Sequence, residues 1–264
     1  MDTNANTTKF EGNYFQWLVE EFKGWRTITW AIWTFGVGFQ LMNMISQGIT
    51  IGTLITFIGV SIGLLCTCGM LEQRTVNGLL GFISAIALIY VNWEAKHFAS
   101  VLDQLFFVAL IDLPLMTTWR TWGAKMSKGV RQLSNKGWVL VSSIILVLWA
   151  ILYPIYTIPS MHDANPIWDS LTLAVGAVAS ILFFLRYTQT YNLWLVANVV
   201  NLILWITALQ ANYSVNAFAM VVSTIMYLIT SLYGRFFSNW NGKEQHLVQP
   251  TEIDETPSAV ATAN

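Results

Sequence analysis

Residues 49–71 read ITIGTLITFIGVSIGLLCTCGML, a stretch of 23 residues without a charged side chain. An α-helix rises about 1.5 Å per residue, so about 20 apolar residues cross the roughly 30 Å hydrocarbon core of a bilayer. This stretch is long enough to cross it. An uncharged run of this length is typical of a transmembrane helix and sets the class of the whole chain.

Seven further apolar stretches of similar length give eight predicted spans in the 264-residue chain. Their approximate bounds are 27–46, 49–71, 76–92, 99–118, 138–158, 167–185, 190–209 and 213–234. The composition agrees, because 55% of the residues are hydrophobic and 10% are charged, whereas soluble domains carry roughly 25% charge. The sequence therefore predicts an all-α membrane protein with eight transmembrane helices in residues 27–240.

Polar segments flank the predicted spans. In residues 1–26, aromatic and apolar side chains recur at helical spacing, which predicts an interfacial amphipathic helix; they are Phe10, Tyr14, Trp17, Leu18, Phe22 and Trp25. Residues 241–264 are polar and contain Pro250 and Pro257, so we predict a disordered tail there.

The Lys and Arg residues predict the orientation. Placing the N-terminus in the cytoplasm puts twelve of the thirteen on the cytoplasmic side and leaves only Lys96 outside. Such an asymmetry follows the positive-inside rule. We therefore expect a multi-pass protein of the cell membrane with both termini cytoplasmic.

Several functional classes are disfavoured. A net charge of −1 without a basic cluster indicates no nucleic-acid partner. The sequence lacks phosphate-binding, metalloprotease and nucleophile-elbow motifs, so we expect neither an enzyme nor an ATP-driven pump. Cys66 and Cys68 lack a second ligand pair and the three histidines are scattered, so no metal or cofactor is expected.

Two parts of the chain resemble each other. NGLLGFISAIALIY from Asn77 is similar to NLWLVANVVNLILW from Asn192, 115 positions later, and the helices that follow also correspond. We predict two three-helix repeats, spans 2–4 and 6–8, joined by span 5 as a linker helix. The repeats start four crossings apart, so they are parallel, an arrangement in which transporters place the substrate site between the halves.

Span 7 carries a polar stripe. Trp194, Asn198, Asn201 and Trp205 are spaced i, i+4, i+7 and i+11, which places them on one helix face that must look into the bundle. The amides are suited to binding a flat polar ring on which the indoles stack, with a cation–π contribution if the ring is cationic. Alternatively, the asparagines only join helices and the tryptophans anchor the membrane interface. The residues alone leave both interpretations open.

Span 2 contains two closely spaced glycines, and span 4 contains two acidic residues. Gly59 and Gly63 form a GxxxG pattern, which predicts close helix contact. Asp103 and Asp112 in span 4 are intramembrane acids and hence functional candidates. We expect Asp103 to be solvated near the outer end. Asp112 is expected to bond to the backbone that Pro114 leaves free, with a proton relay as the alternative.

The chain resembles the Pnu vitamin transporters, most closely their nicotinamide riboside branch, over roughly Asn77 to Trp240. The motifs that carry the resemblance are N-G-x-x-G from Asn77, Q-L-F-F at Gln104–Phe107, Arg186 followed by W-x-x-x-N at Trp194 and Asn198, and Y-L-x-x-x-x-Y-G at Tyr227–Gly234. Leu113 and Pro114 depart from the tyrosine and glycine expected of the family, so the inner half of span 4 is expected to shape a different gate or ligand fit.

The resemblance implies a SWEET-like core, a homotrimer, and passive uptake of nicotinamide riboside, which a cytoplasmic kinase traps by phosphorylation. It also implies that Trp194 stacks on the pyridinium, that Asn198 binds the carboxamide or ribose, and that Gln104 completes the site. Helix geometry adds Asn201, Tyr227 and Thr224. The absence of Lys and Arg from the spans argues against a phosphorylated nucleotide, whose charge needs a partner.

Three alternatives remain at this stage. Thiamine and riboflavin are also flat rings and are carried by related branches on the same scaffold. A membrane protein of assembly or sensory function, in which the stripe only packs helices, belongs to another class. An ion-coupled carrier that uses Asp112 is the third.

Overall fold

The computed structural model describes residues 10, 12–94, 98–126, 129–159, 165–211, 213, 215–238 and 240. Its elements are α1 (Tyr14–Glu21), α2 (Thr27–Gln47), α3 (Ile51–Leu71), α4 (Val76–Glu94), α5 (Phe98–Phe107), a π-helical turn (Val108–Asp112), α6 (Leu113–Thr117), α7 (Trp122–Met126), α8 (Asn135–Tyr156), α9 (Pro166–Phe184), α10 (Thr190–Ala211) and α11 (Val215–Phe236). The prediction of an all-α membrane protein is confirmed. The predicted tail at 241–264 lies outside the described residues.

Seven helices are long and apolar enough to cross a membrane, namely α2, α3, α4, α8, α9, α10 and α11. The remaining predicted span is the helical run from Phe98 to Thr117, which passes through α5, the π turn and α6. Its 20 residues rise about 30 Å at α-helical spacing. This run coincides with the fourth predicted span, and the count of eight spans stays a prediction.

The π turn explains how the fourth span accommodates a proline. Pro114 lacks an N–H group, and its ring crowds the carbonyl of Leu110 one turn earlier. Just before it, the Leu113 N–H donates to the Val108 carbonyl across the wider π turn. Both carboxylate oxygens of Asp112 are buried without a hydrogen-bond partner in the described part of the chain. The bond that was expected from Asp112 to the backbone near Pro114 is therefore not formed.

Glycines on α4 bring this irregular segment close. A Cβ on Gly78 would lie 2.7 Å from Leu115 Cβ and 2.9 Å from the Asp112 carbonyl oxygen. A Cβ on Gly81 would collide with the Asp112 carboxyl group. The glycines of the N-G-x-x-G motif are therefore required by helix packing.

The close contact predicted from the GxxxG pattern of α3 is confirmed. The Ser84 hydroxyl of α4 donates to the Gly59 carbonyl at 2.7 Å, which requires the two backbones to approach closely. A Cβ on Gly59 would lie 2.9 Å from Ala87 Cβ. Small residues at this crossing thus join the first two helices of the first predicted repeat.

The turns from α3 to α4 and from α9 to α10 have the same construction. Gln73 and Arg186 each lie two residues beyond the preceding helix and adopt φ values of 58° and 65°, which are uncommon without glycine. In both turns the N–H of this residue bonds to the carbonyl three residues earlier, and the next N–H bonds to the carbonyl five residues earlier, at 2.8–3.1 Å. This paired cap is the Schellman motif. Its occurrence at the same place in both units supports the predicted repeat.

Helix α1 docks on the first of these turns. Its N-terminus is capped reciprocally by Asn13 and Gln16. The buried Trp17 donates from Nε1 to Thr75 Oγ1 at 3.1 Å, and Glu21 Oε2 accepts the Val76 N–H at 2.7 Å. Burial raises the pKa of the Glu21 carboxyl group. Phe15 is 77% exposed on the other side, and the placement of α1 at a membrane interface stays a prediction.

Arg26 joins the two units at the same end of the bundle. Its Nε donates to Glu72 Oε1 at 3.1 Å, just after α3, and its Nη1 donates to the Phe237 carbonyl at 3.1 Å, just after α11. Its guanidinium also lies 5.2 Å from the centre of the Tyr233 ring. Arg26 therefore links the ends of one helix from each predicted repeat.

Arg186 holds the loop between α7 and α8 at this end. Its guanidinium donates to the carbonyls of Lys125 and Gly129, and its own carbonyl accepts the Arg131 N–H at 2.8 Å. Burial and the neighbouring Arg131 lower the pKa of Arg186. Because Arg26, Arg131 and Arg186 gather here, we call this the basic end. It matches the predicted grouping of cations on one side, and its cytoplasmic location stays a prediction.

The packing at Gly78 is testable by Gly78→Ala. The new methyl group would press on the backbone of the π turn, and overpacking of this kind costs about 1–3 kcal/mol. We expect a lower midpoint of thermal unfolding in detergent, measured by size-exclusion chromatography after heating. Gly38→Ala on α2 is the control, because a Cβ there meets nothing within 4 Å. Equal midpoints for the two variants would contradict the packing role.

Candidate functional site: a central cavity between the two helical units

A cavity of about 200 Å³ lies inside the bundle. Its wall is built by residues of α3, α4, α5, α9, α10 and α11. These six helices are the members of the two predicted repeats, and none of the described residues of α2 or α8 lines the cavity. The cavity therefore occupies the place between the repeats in which the sequence predicts a substrate site.

The stripe on α10 faces this cavity. Trp194, Asn198, Asn201 and Trp205 all line it. Trp205 is buried and Trp194 is half-buried. The Trp194 ring meets Tyr191 edge-on, with centroids 5.2 Å apart and planes at 89°.

Asn198 joins two helices and also lines the cavity. Its Nδ2 donates to the Ser231 hydroxyl at 2.9 Å and to the Tyr227 carbonyl at 3.3 Å, which joins α10 to α11. Its Oδ1 has no hydrogen-bond partner among the described residues. The side chain thus packs two helices and still presents an acceptor to the cavity.

Two more of the predicted site residues, Gln104 and Tyr227, line the cavity. The amides of Gln104 and Asn201 have no hydrogen-bond partner in the described part of the chain. Both therefore offer donors and acceptors to a ligand.

Thr224, which helix geometry had added to the site, is outside the cavity wall. It is buried, and its hydroxyl donates to the Met220 carbonyl at 2.8 Å. A threonine hydroxyl in a helix readily bonds to the carbonyl one turn back. Here this bond uses the donor that a ligand would need.

Two lining residues were missed or misplaced by the sequence analysis. Asp103, expected to be solvated near the outer end, is half-buried and lines the cavity beside Gln104. Tyr191 lines it as well and is 2% exposed, with Gly234 leaving room for its ring. Extending the α10 stripe by three residues before Trp194 would have found Tyr191, because i and i+3 share a helix face.

The described part of the wall is mostly uncharged. Asp103 is the one charged residue among the described lining residues, and no cluster of His, Cys, Asp or Glu suitable for a metal occurs in the part of the chain that the structure covers. Cys66 lines the cavity as a free, buried thiol. Asp112 lies behind the wall, against Gly81.

The cavity is covered toward the basic end. Met70 and Tyr191 line it there, and Trp240 lies over both. The Trp240 Nε1 donates to the Met70 carbonyl at 2.8 Å, and its ring lies 5.6 Å from that of Tyr191. Trp240 follows α11, whereas Met70 belongs to α3, so this contact also joins the two units.

Residues 53–242 match a protein family described as Nicotinamide mononucleotide transporter. The chain belongs to this family. The match begins two residues into α3 and includes the other five helices that line the cavity.

Individual relatives carry a more specific name. The nicotinamide riboside transporter PnuC of Neisseria mucosa is 25% identical over 231 residues, which is 85% of this chain and 84% of the relative. PnuC of Haemophilus influenzae is 26% identical over 188 residues, 67% of this chain and 75% of the relative. PnuC of Escherichia coli is 23% identical, over 64% of this chain and 80% of the relative.

A solved structure shares the fold. The crystal structure of the vitamin B3 transporter PnuC superposes with a TM-score of 0.72 at 24% sequence identity. The match covers 87% of this chain and 97% of the other. The helical bundle described above is therefore the fold of a solved transporter.

The closure at the basic end is testable through Cys66. Arg26→Ala removes the bonds to Glu72 and to the Phe237 carbonyl, and we expect the two units to separate more often at this end. Labelling of Cys66 by a maleimide, in a Cys68→Ala background, should then proceed several-fold faster. Arg235→Ala is the control, because Arg235 bonds to Asn192 within a single unit. Equal labelling rates in both variants would show that Arg26 does not hold the closure.

Proposed function

We propose that this protein carries nicotinamide riboside across the membrane by facilitated diffusion through the central cavity. The observation that carries the proposal is the cavity itself, which lies between two helical units and is lined by indoles and unpaired amides. The names of the relatives point to the same solute. A cation such as nicotinamide riboside does not cross hydrocarbon unaided, because a charge in the bilayer is costly.

Each part of the solute has a counterpart in the wall. Trp194 presents an aromatic face on which a pyridinium ring can stack with a cation–π contribution. The carboxamide and the ribose hydroxyls need both donors and acceptors. Gln104, Asn201 and the free Oδ1 of Asn198 supply them. Tyr227 completes this set from α11.

The cavity favours the riboside over the mononucleotide. A phosphate group needs cationic partners when it leaves water, and no Lys or Arg is found among the described lining residues. The family description names the mononucleotide, whereas the curated relatives are named for the riboside. Because no Lys or Arg is found among the described lining residues, the wall supports the riboside.

The lack of Lys and Arg among the described lining residues also fits a scheme in which the phosphorylated solute is trapped inside the cell. Once a cytoplasmic kinase adds a phosphate, the product carries negative charge and meets no cation among the described residues of the wall. Return through the cavity is then disfavoured, and a passive carrier yields net uptake. This scheme requires the basic end to face the cytoplasm, which the positive-inside rule favours. The protein is then a membrane transporter that does no chemistry of its own.

Uptake into proteoliposomes tests the function. We expect saturable entry of radiolabelled nicotinamide riboside that stops at equal concentrations inside and outside. Thiamine, riboflavin and the mononucleotide, added as competitors, should reduce entry little. No uptake above that of empty vesicles would disprove the proposal. Accumulation that disappears when the proton gradient is dissipated would favour the ion-coupled alternative through Asp112.

A pair of amide variants separates transport from helix packing. Asn198→Ala should abolish specific uptake while the protein still inserts, because it removes the acceptor in the cavity. Gln40→Ala is the matched control. The Gln40 Nε2 donates to the Ala219 carbonyl and the Ser223 hydroxyl of α11, both at 3.1 Å, outside the cavity. If the two variants transport alike, Asn198 only joins helices. This result would favour the alternative in which the stripe only packs helices in an assembly or sensory protein.

The homotrimer implied by the family resemblance stays a prediction. Native mass spectrometry of the protein in detergent measures it directly. A measured mass equal to that of one chain would show that the trimer prediction is wrong. The proposed transport would be unaffected, because the described cavity residues all belong to one chain.

A further inference from the structure

The charge of the cavity wall is concentrated in one side chain. Asp103 on α5 is the one acidic or basic residue among the described lining residues. Its Oδ1 lies 3.6 Å from the position of a Cβ on Gly176 of α9, so the carboxylate faces the second unit across a glycine. No described residue pairs with it in a hydrogen bond or salt bridge.

The described residues around Asp103 do not compensate its charge. Thr172, one turn before Gly176 on α9, also lines the cavity, and its buried hydroxyl has no partner in the described part of the chain. A carboxylate within the membrane region is costly unless it meets a cation or several donors. Since the protein supplies neither among the described residues, a cationic solute is the partner that would stabilise it.

We propose that Asp103 is a specificity-determining residue that selects a permanently cationic ring over a neutral ring of the same shape. The proposal rests on the proposed function and adds the property by which the solute is chosen. The amides recognise the carboxamide and ribose, whereas Asp103 recognises the charge of the pyridinium. A ligand carrying a carboxylate or phosphate is repelled by the same group.

Two ligands that differ mainly in the charge of the ring separate recognition of charge from recognition of shape. Nicotinamide riboside and its reduced dihydropyridine form carry the same carboxamide and the same ribose, but only the oxidised ring is a cation. Contacts made by Gln104, Asn198 and Asn201 are available to both. A difference in affinity between the two ligands that depends on residue 103 therefore reports recognition of charge.

The experiment measures binding of both ligands to the purified full chain by scintillation proximity competition. For the wild type we expect tighter binding of the cation. Asp103→Asn keeps the size of the side chain and should weaken binding of the cation tenfold or more, while binding of the neutral ligand changes less than twofold. Asp103→Glu should retain preference for the cation. Asp169→Asn, in the first turn of α9 and outside the cavity wall, serves as control and should match the wild type.

The outcomes distinguish this proposal from the proposed function. If Asp103→Asn weakens both ligands equally or neither ligand, or if the wild type does not prefer the cation, charge selection is wrong, although transport of nicotinamide riboside can still hold. If the wild type binds neither ligand, the proposed function itself fails. Should Asp103→Asn elute as aggregate, Asp103→Glu and the wild-type preference decide the question.

Discussion

Backbone amides and carbonyls inside a bilayer must find their hydrogen-bond partners within the protein, because the hydrocarbon offers none. The constraint is visible in the helices. Seven of them are long and apolar enough to cross a membrane, including α8, which contains Pro154. Where Pro114 removes a donor from the segment predicted as the fourth span, the backbone stays bonded through a π turn from Val108 to Asp112. Gly78 and Gly81 then provide the space that this wider segment needs against α4.

The same constraint divides the polar side chains into two groups. Gln40, Ser84 and the Nδ2 group of Asn198 are bonded to neighbouring helices and hold the bundle together. Gln104 and Asn201 have no such partner among the described residues and line the cavity instead. Polar groups left unpaired inside a membrane protein are expected where a solute replaces the missing partner.

The contacts at the basic end connect the cavity to the rest of the molecule. Arg26 bonds to residues that follow α3 and α11, and Trp240 reaches back to Met70. Because these contacts join the two units close to the cavity, a change in how the units meet would change access to it. Motion of one repeat against the other around a fixed site is the general mechanism of such carriers.

The sequence by itself determined the class, the approximate spans and the face of α10 that looks inward. These follow from local rules, because length, hydropathy and helical period need no knowledge of neighbours. Trp194, Asn198, Asn201 and Trp205 were placed correctly for this reason.

Only the tertiary structure decided which polar groups are already paired. The hydroxyl of Thr224 is used within its own helix, Asp103 lines the cavity, and Asp112 lies buried behind the wall. A side chain's position on its helix does not reveal which neighbouring helix it meets. Whether a buried polar group packs the fold or awaits a solute depends on those neighbours, because the hydrogen bonds that decide it run between helices distant in the chain.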